Sequence, residues 1–281
     1  MKKILSIMFI LLSAFLLSCG GNNENEKIVT SFFVTSHFTE VCMKGIDNIE
    51  IYTLATSEPH EFELTSKDIN AMNNSKVIIL NGLELEVFES ELTGSLKEKV
   101  RYATKSIEGE KRNNKIDPHA WLSIKYAKTY VTNIASFLVE AYPQYKETIE
   151  TNRNAYLESL TELDSYASTK LSNLTSNIMI AAHEAFDYFA HDYNLEVKSV
   201  LGLEEEEPDA KKLANIIDFA KEHNVKTIFT EKDEEIELSN RIASEINAKV
   251  EELYTLEVNS NISYLDAIRY NIDIIAESLN G

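Results

Sequence analysis

Between residues 111 and 201 the chain contains no glycine, and between Pro143 and Pro208 it contains no proline. Those are the two residue types that most oppose a helix. Inside this stretch Ile149, Tyr156, Leu160, Leu163, Ala167 and Leu171 recur at spacings of 7, 4, 3, 4 and 4, one apolar stripe of helical period. The spacing predicts a single helix over about residues 144–174, roughly 45 Å long at 1.5 Å per residue. That is long enough to run the length of a two-lobed protein.

On both sides of it the pattern changes. Short apolar or β-branched runs read as strands at 28–33, 49–55 and 77–80 before the helix, and at 178–182, 196–200, 227–230 and 249–253 after it. Amphipathic segments separate them. One covers 68–74, and another covers 210–222 with Leu213, Ile216, Ile217, Phe219 and Ala220 toward a core. Strands alternating with helices imply an α/β fold: two βα lobes with largely parallel sheets joined by one long rigid helix. The expected divisions are an N-terminal lobe at 27–143, the connecting helix at 144–174 and a C-terminal lobe at 175–281.

The first residues stand apart from the fold. Lys2 and Lys3 precede an apolar run over 4–17. It is shorter than the ~20 residues a membrane-spanning helix needs and fits a secretory signal peptide at 1–18. Cys19, after Leu16-Leu17-Ser18, resembles the lipidated cysteine of a bacterial lipobox. Residues 19–26 then read as a lipid-anchored tether. Cys42 is the one other cysteine, so no internal disulfide is expected. Its apolar neighbours predict a small buried side chain and not a metal ligand.

The net charge is −19, and losing Lys2 and Lys3 with the leader makes the remainder more acidic. Such a surface repels nucleic acid and anionic lipid head groups. Membrane contact is therefore expected through the lipid anchor only. Attraction of cations by such a surface is non-specific.

Three of the six histidines stand in comparable settings. His60 follows the 49–55 strand in Ser57-Glu58-Pro59-His60-Glu61. His119 sits in Asp117-Pro118-His119-Ala120-Trp121, and His183 closes the 178–182 strand. Two of the four prolines directly precede two of these histidines, which stiffens both turns. Ligands of open α/β sheets bind beyond the carboxyl ends of strands, where two of the three fall. Three neutral imidazoles suit a first-row metal, zinc above all. Each taken alone is as well an ordinary turn histidine, and no local HxxxH or CxxC sharpens the reading. His37, His191 and His223 read as structural. The glutamates at 204–207 read as a solvated loop.

At these residues the chain resembles the zinc- and manganese-binding solute-binding lipoproteins of bacterial ABC metal importers. The likeness runs through Pro59-His60-Glu61-Phe62-Glu63-Leu64, Asp117-Pro118-His119-Ala120-Trp121-Leu122 and His183-Glu184-Ala185-Phe186-Asp187-Tyr188-Phe189, and continues at Glu207-Pro208-Asp209 and Ile228-Phe229-Thr230-Glu231. It implies a metal held between two lobes by His60, His119 and His183, and delivery to a membrane permease. It implies an exported monomer on the periplasmic or cell-surface side of a bacterial membrane. Aligning 263–271 with the family's C-terminal helix puts Ile262 where many members carry an aspartate. The fourth ligand is then expected from water, Glu61, Glu231 or Asp266, with water or Glu61 ahead. Loss of that carboxylate favours Zn2+ over Mn2+. Residues 61–118 carry no histidine, so a histidine-rich accessory loop is absent. Asp117, Glu184 and Glu231 are candidates to orient the imidazoles. Competing readings are a zinc hydrolase with Glu61 or Glu184 as base, a surface adhesin, and a binder of an organic or chelated solute.

Overall fold

The computed structural model describes residues 26–112, 115–203, 208–232, 236–258 and 261–281. The expected leader at 1–18, Cys19, the tether as far as residue 25, and the glutamates at 204–207 lie outside the described residues. Glu26, placed in the tether from sequence, opens the first strand.

The N-terminal lobe runs β1 (Glu26–Thr30), α1 (Phe33–Met43), β2 (Ile49–Thr53), α2 (Ser66–Asn74), β3 (Ser75–Leu80), α3 (Gly94–Lys99) and β4 (Val100–Tyr102). A two-residue-per-strand antiparallel hairpin follows, β5 (Lys111–Arg112) and β6 (Lys115–Ile116). Two helices then pack together, α4 (Ile124–Ala141) and α5 (Lys146–Lys170). The C-terminal lobe is β7 (Ile178–Ala181), α6 (Asp187–Asp192), β8 (Glu196–Ser199), α7 (Ala210–Glu222), β9 (Thr227–Glu231), α8 (Glu237–Ile246), β10 (Lys249–Leu253) and α9 (Tyr264–Asn280). Seven strands fall where apolar runs place them. β4 and the hairpin escape a sequence reading because two or three residues carry no period.

Each lobe has a four-stranded, wholly parallel sheet. The orders are β2-β1-β3-β4 and β10-β9-β7-β8. Numbered within each lobe, both read second-first-third-fourth.

Alternation along the strands explains the layers. Ile28, Val77 and Ile79 face the large central core, while Val29, Ile78 and Leu80 face a separate outer cluster with Leu54, Met72 and Phe88. In the second sheet Met179, Ala181 and Phe229 face the central core, while Ile180 and Ile228 face the outer cluster with Ile216 and Ile242. Sheets covered on both faces need apolar residues at consecutive positions, which is why the strands read as runs.

The central core is continuous through both lobes, from Phe38 and Tyr130 to Phe189 and Tyr264. Helix α5 ties it together. It packs on α1 and α4 of the first lobe and on α9 of the second. Its buried residues Ile149, Leu160, Leu163 and Ala167 are members of the stripe read from sequence. The helix has 25 residues, with a 3-10 turn at Pro143–Tyr145 ahead of it, and spans roughly 37 Å. Truncating a fully buried leucine such as Leu160 would cost about 2–5 kcal/mol. Among the described residues no helix is long and apolar enough to cross a membrane.

Candidate metal centre

Four turns meet where the lobes face each other. β2 ends at Thr53, and the turn after it delivers His60, whose backbone N–H donates to Glu58 Oε1 at 2.8 Å. β7 ends at Ala181, and His183 follows at 1% exposure. His119 lies in the turn before the short Ala120–Leu122 3-10 helix and is fully buried. That turn is anchored to the end of β3. Asn81 donates its amide to the Pro118 carbonyl at 3.2 Å and accepts from the Tyr130 hydroxyl at 2.6 Å. Glycine is required beside it: Gly82 has φ +84°, and a Cβ there would stand 2.7 Å from Thr104 Oγ1. Glu86 accepts from the Asn81 and Gly82 amides, yet burial pushes its carboxyl up to about 7.

The three sequence-predicted histidines come together. His119 Nε2 is 3.2 Å from His60 Nε2 and 3.1 Å from His183 Nε2. The fourth member is a carboxylate absent from the sequence reading, Glu257. Its Oε1 is 3.1 Å from His119 Nε2 and 3.6 Å from His183 Nε2, and its Oε2 is 4.0 Å from His60 Nε2. One ligand atom from each of the four lies within 4.8 Å of the others. Four donors on a tetrahedron with bonds of about 2.0–2.1 Å would sit roughly 3.3 Å apart, so the set is already near the size a zinc ion imposes.

Electrostatics point the same way. Burial opposes a proton on His119, but hydrogen bonds and charge from Asp117 and Glu257 prevail and raise its pKa to about 10. Burial likewise opposes a proton on His183, and the charge of Glu257 overcomes it. Burial would raise the Glu257 carboxyl, but His183 and His119 hold it well below the usual carboxylate range. An anion among imidazoles thus keeps protons where a cation would fit.

Asp117, expected to orient an imidazole, does so. Its Oδ1 accepts from His119 Nδ1 at 2.7 Å and from the His119 backbone N–H at 2.9 Å. Metal-bound histidines are commonly backed in this way. His183 Nδ1 is buried with no hydrogen-bond partner among the described residues.

Glu257 sits on a strap, residues 254–257, beyond the carboxyl end of β10. Asn271 of α9 pairs with Tyr254 in both directions, accepting its N–H at 2.8 Å and donating to its carbonyl at 2.7 Å. The Thr255 hydroxyl donates to Glu231 Oε2 at 2.8 Å. Leu256 has φ +64°, left-handed and unusual for a residue with a side chain. Such a conformation costs roughly 1–2 kcal/mol; here it turns the strap just before Glu257.

The carboxylates expected as fourth ligand lie elsewhere. Glu61 is exposed. Asp266 belongs to the capping of α9, accepting from Ser263 Oγ at 2.6 Å. Glu231 is buried at the end of β9, where it accepts from Thr255 and adds negative charge near His183. Glu184 is half-buried outside the cluster, its carboxyl raised by burial. Ile262 packs against the central core. The strand-end rule that points to His60 and His183 also reaches Glu257, which follows the strand at 249–253 and precedes the helix at 263–271. The other histidines lie outside the cluster. His37 meets the Tyr156 hydroxyl at 3.2 Å, His223 Nδ1 lies 2.9 Å from the Phe219 carbonyl at the end of α7, and His191 is in the last turn of α6. Cys42 is buried, which pushes its thiol up to about 12.

Two parallel βα lobes on one long helix, with buried imidazoles and a carboxylate meeting between them, define a metal-binding solute-binding protein of the ABC-importer type. The chain belongs to the ZnuA family, zinc-uptake complex component A, periplasmic, which it matches over residues 28–278. It is 30% identical to the high-affinity zinc uptake system protein ZnuA of Bacillus subtilis, over 99% of each chain. It is 29% identical to the zinc-binding lipoprotein AdcA of Streptococcus pneumoniae, covering 92% of this chain but only 56% of that longer protein. In structure it is similar to the laminin-binding protein Lmb of Streptococcus agalactiae, described as bifunctional with adhesin and metal-transporting activity. The TM-score is 0.84 at 27% identity, over 90% of this chain and 99% of that one. The family is one of metal-binding transport components that work outside the cytoplasm, not an enzyme family.

Proposed function

We propose that the protein captures Zn2+ outside the cytoplasm and delivers it to the permease of an ABC importer. His60, His119 and His183 each give a Nε2 and Glu257 gives a carboxylate oxygen. The carrying observation is the convergence of these four buried or half-buried groups at the lobe junction. Three nitrogens and one oxygen at tetrahedral separations favour zinc. Manganese prefers an oxygen-rich octahedral set. All four protein positions are filled from side chains, which suits a carrier. A catalytic zinc keeps one position for water, so no hydrolytic activity is expected. The continuous core and α5 oppose a wide hinge, so release proceeds through small movements of the turns that carry the ligands. Cys19 is the lipidation site, and the chain acts as a monomer tethered to the membrane by that lipid.

Native mass spectrometry of the protein purified from ordinary medium, with metal analysis, tests this reading. One zinc per chain, lost in His60→Ala, His119→Ala and His183→Ala and weakened in Glu257→Gln, is the expected result. A chain that takes up neither zinc nor manganese on titration overturns it. Labelling with a radioactive fatty acid in cells, lost in Cys19→Ser, tests the anchor, and gel filtration tests the monomer.

A further inference from the structure

Trp121 lies two residues after His119, and Thr255 lies two residues before Glu257. The Trp121 indole N–H donates to the Thr255 carbonyl at 2.8 Å. One side chain thus ties the turn that carries an N-lobe histidine to the strap that carries the C-lobe carboxylate. The other strap hydrogen bonds described above run to Asn271 and Glu231, both of the C-terminal lobe.

The indole is held firmly at its own end. It is fully buried. Its ring centroid lies 4.8 Å from that of Phe32, at the end of β1, and 5.1 Å from that of His119. Its backbone carbonyl accepts from the Tyr264 hydroxyl at 2.6 Å. The strap meets it at the Thr255 carbonyl, immediately before the left-handed turn at Leu256. An indole nitrogen can only donate. If the strap withdraws, a buried donor loses its partner, which is unfavourable. Contact between Glu257 and a bound ion and contact between Thr255 and Trp121 therefore favour the same strap position. Coupling of this kind is reciprocal: whatever strengthens one contact strengthens the other.

We infer that Trp121 is a positioning residue that couples His119 to Glu257 across the lobe junction, so that the fourth ligand engages the ion when the indole bond is made. This rests on the zinc-carrier reading above. It adds that one side-chain hydrogen bond links the turn of His119 directly to the strap of Glu257, beside the Tyr264 and Tyr188 hydroxyl bonds that also cross the lobe junction.

A double-mutant cycle separates positioning from general support. Trp121→Phe is introduced into the wild-type protein and into Glu257→Gln, and Zn2+ affinity is read by competition with a chromogenic chelator. The expected loss is about tenfold in the wild-type background, at the low end for a supporting group. In Glu257→Gln it is less than about twofold, because the partner of the coupling is already gone. Equal losses in both backgrounds overturn the proposal. Phenylalanine also removes ring volume, so a second measurement uses the unaltered protein. The chain has one tryptophan and hence one indole 15N–1H resonance. Its hydrogen exchange is expected to slow at least about tenfold on zinc loading, as strap opening is suppressed. Equal exchange with and without zinc overturns the proposal and leaves the carrier reading intact. A wild-type protein that takes no zinc removes the carrier reading itself.

Discussion

The two lobes share one strand order and contribute two groups each to the candidate metal centre, yet they hold those groups differently. In the N-terminal lobe His119 is held by the chain's own groups. Asp117 takes both its Nδ1 and its backbone N–H, and Asn81 clamps the preceding carbonyl. In the C-terminal lobe the His183 Nδ1 has no hydrogen-bond partner among the described residues, and Glu257 rides on a strap containing a left-handed leucine. The same topology therefore yields a pre-set half, with its histidine backed by a carboxylate, and a half whose histidine lacks such backing among the described residues.

The strongest challenge to this comparison is removal of a histidine from each half. His119→Ala and His183→Ala should each weaken zinc by more than the roughly 10–100-fold typical of losing a supporting group, with His119→Ala the larger. Competition titrations against a chelator of known affinity measure both. If His183→Ala costs more, the N-terminal half is not the principal platform.

Asp117→Asn asks whether the pre-set half depends on its backing group. The expected loss in zinc affinity is roughly 10–100-fold, with the fold retained by circular dichroism. A loss below threefold would mean that packing against Trp121, not the carboxylate, holds the ring.

Proton linkage gives a smaller but more specific effect. With His119 raised to about 10 in the metal-free protein, zinc must displace a proton at pH 7. Affinity should rise with pH, about tenfold per unit for one proton released. Calorimetry in buffers of different ionisation heat counts that proton, and Asp117→Asn should reduce the count at pH 8. The sign for stability follows from the same shift. A histidine whose folded pKa is raised stabilises the metal-free fold fully below about 6.5, and that contribution disappears as pH climbs through about 10. The metal-free melting temperature should fall by a few degrees over that window, while the zinc-loaded protein should not follow it. Parallel curves would show that His119 does not carry the linked proton.

The smallest effect expected is at His223, which lies at the end of α7 away from the four-group cluster. His223→Gln should change stability by no more than about 0.5 kcal/mol and leave zinc affinity unchanged within error. A clear loss of affinity there would extend the site beyond the four groups.

Much of this architecture is legible from the chain alone, and the reasons are local. Both faces of each sheet are covered, so strands such as β3 and β9 appear as runs of consecutive apolar residues. Helix α5 buries one stripe, so its period survives in the sequence. His60 and His119 are marked by the prolines before them, and His183 by the strand it ends. Other features have no local signature. The strand β4 and the small hairpin are too short for a period, and nothing in the sequence announces that the two lobes repeat one topology.

Glu257 shows where sequence stops being sufficient. It is one of 46 acidic residues, with Glu251 and Glu252 a few positions earlier. By residue type all three could bind a cation. Which one is brought to the three imidazoles depends on the left-handed turn at Leu256, on Asn271 seventeen positions from Tyr254, and on an indole 134 positions from Thr255. Periodicity, strand-end placement and the prolines before His60 and His119 mark the two lobes, the bridging helix and the three imidazoles, because those signals lie in neighbours along the chain. The fourth group, and the hydrogen bond that brings it to the others, is decided only when distant segments pack, because a carboxylate's direction is set by what surrounds it in space.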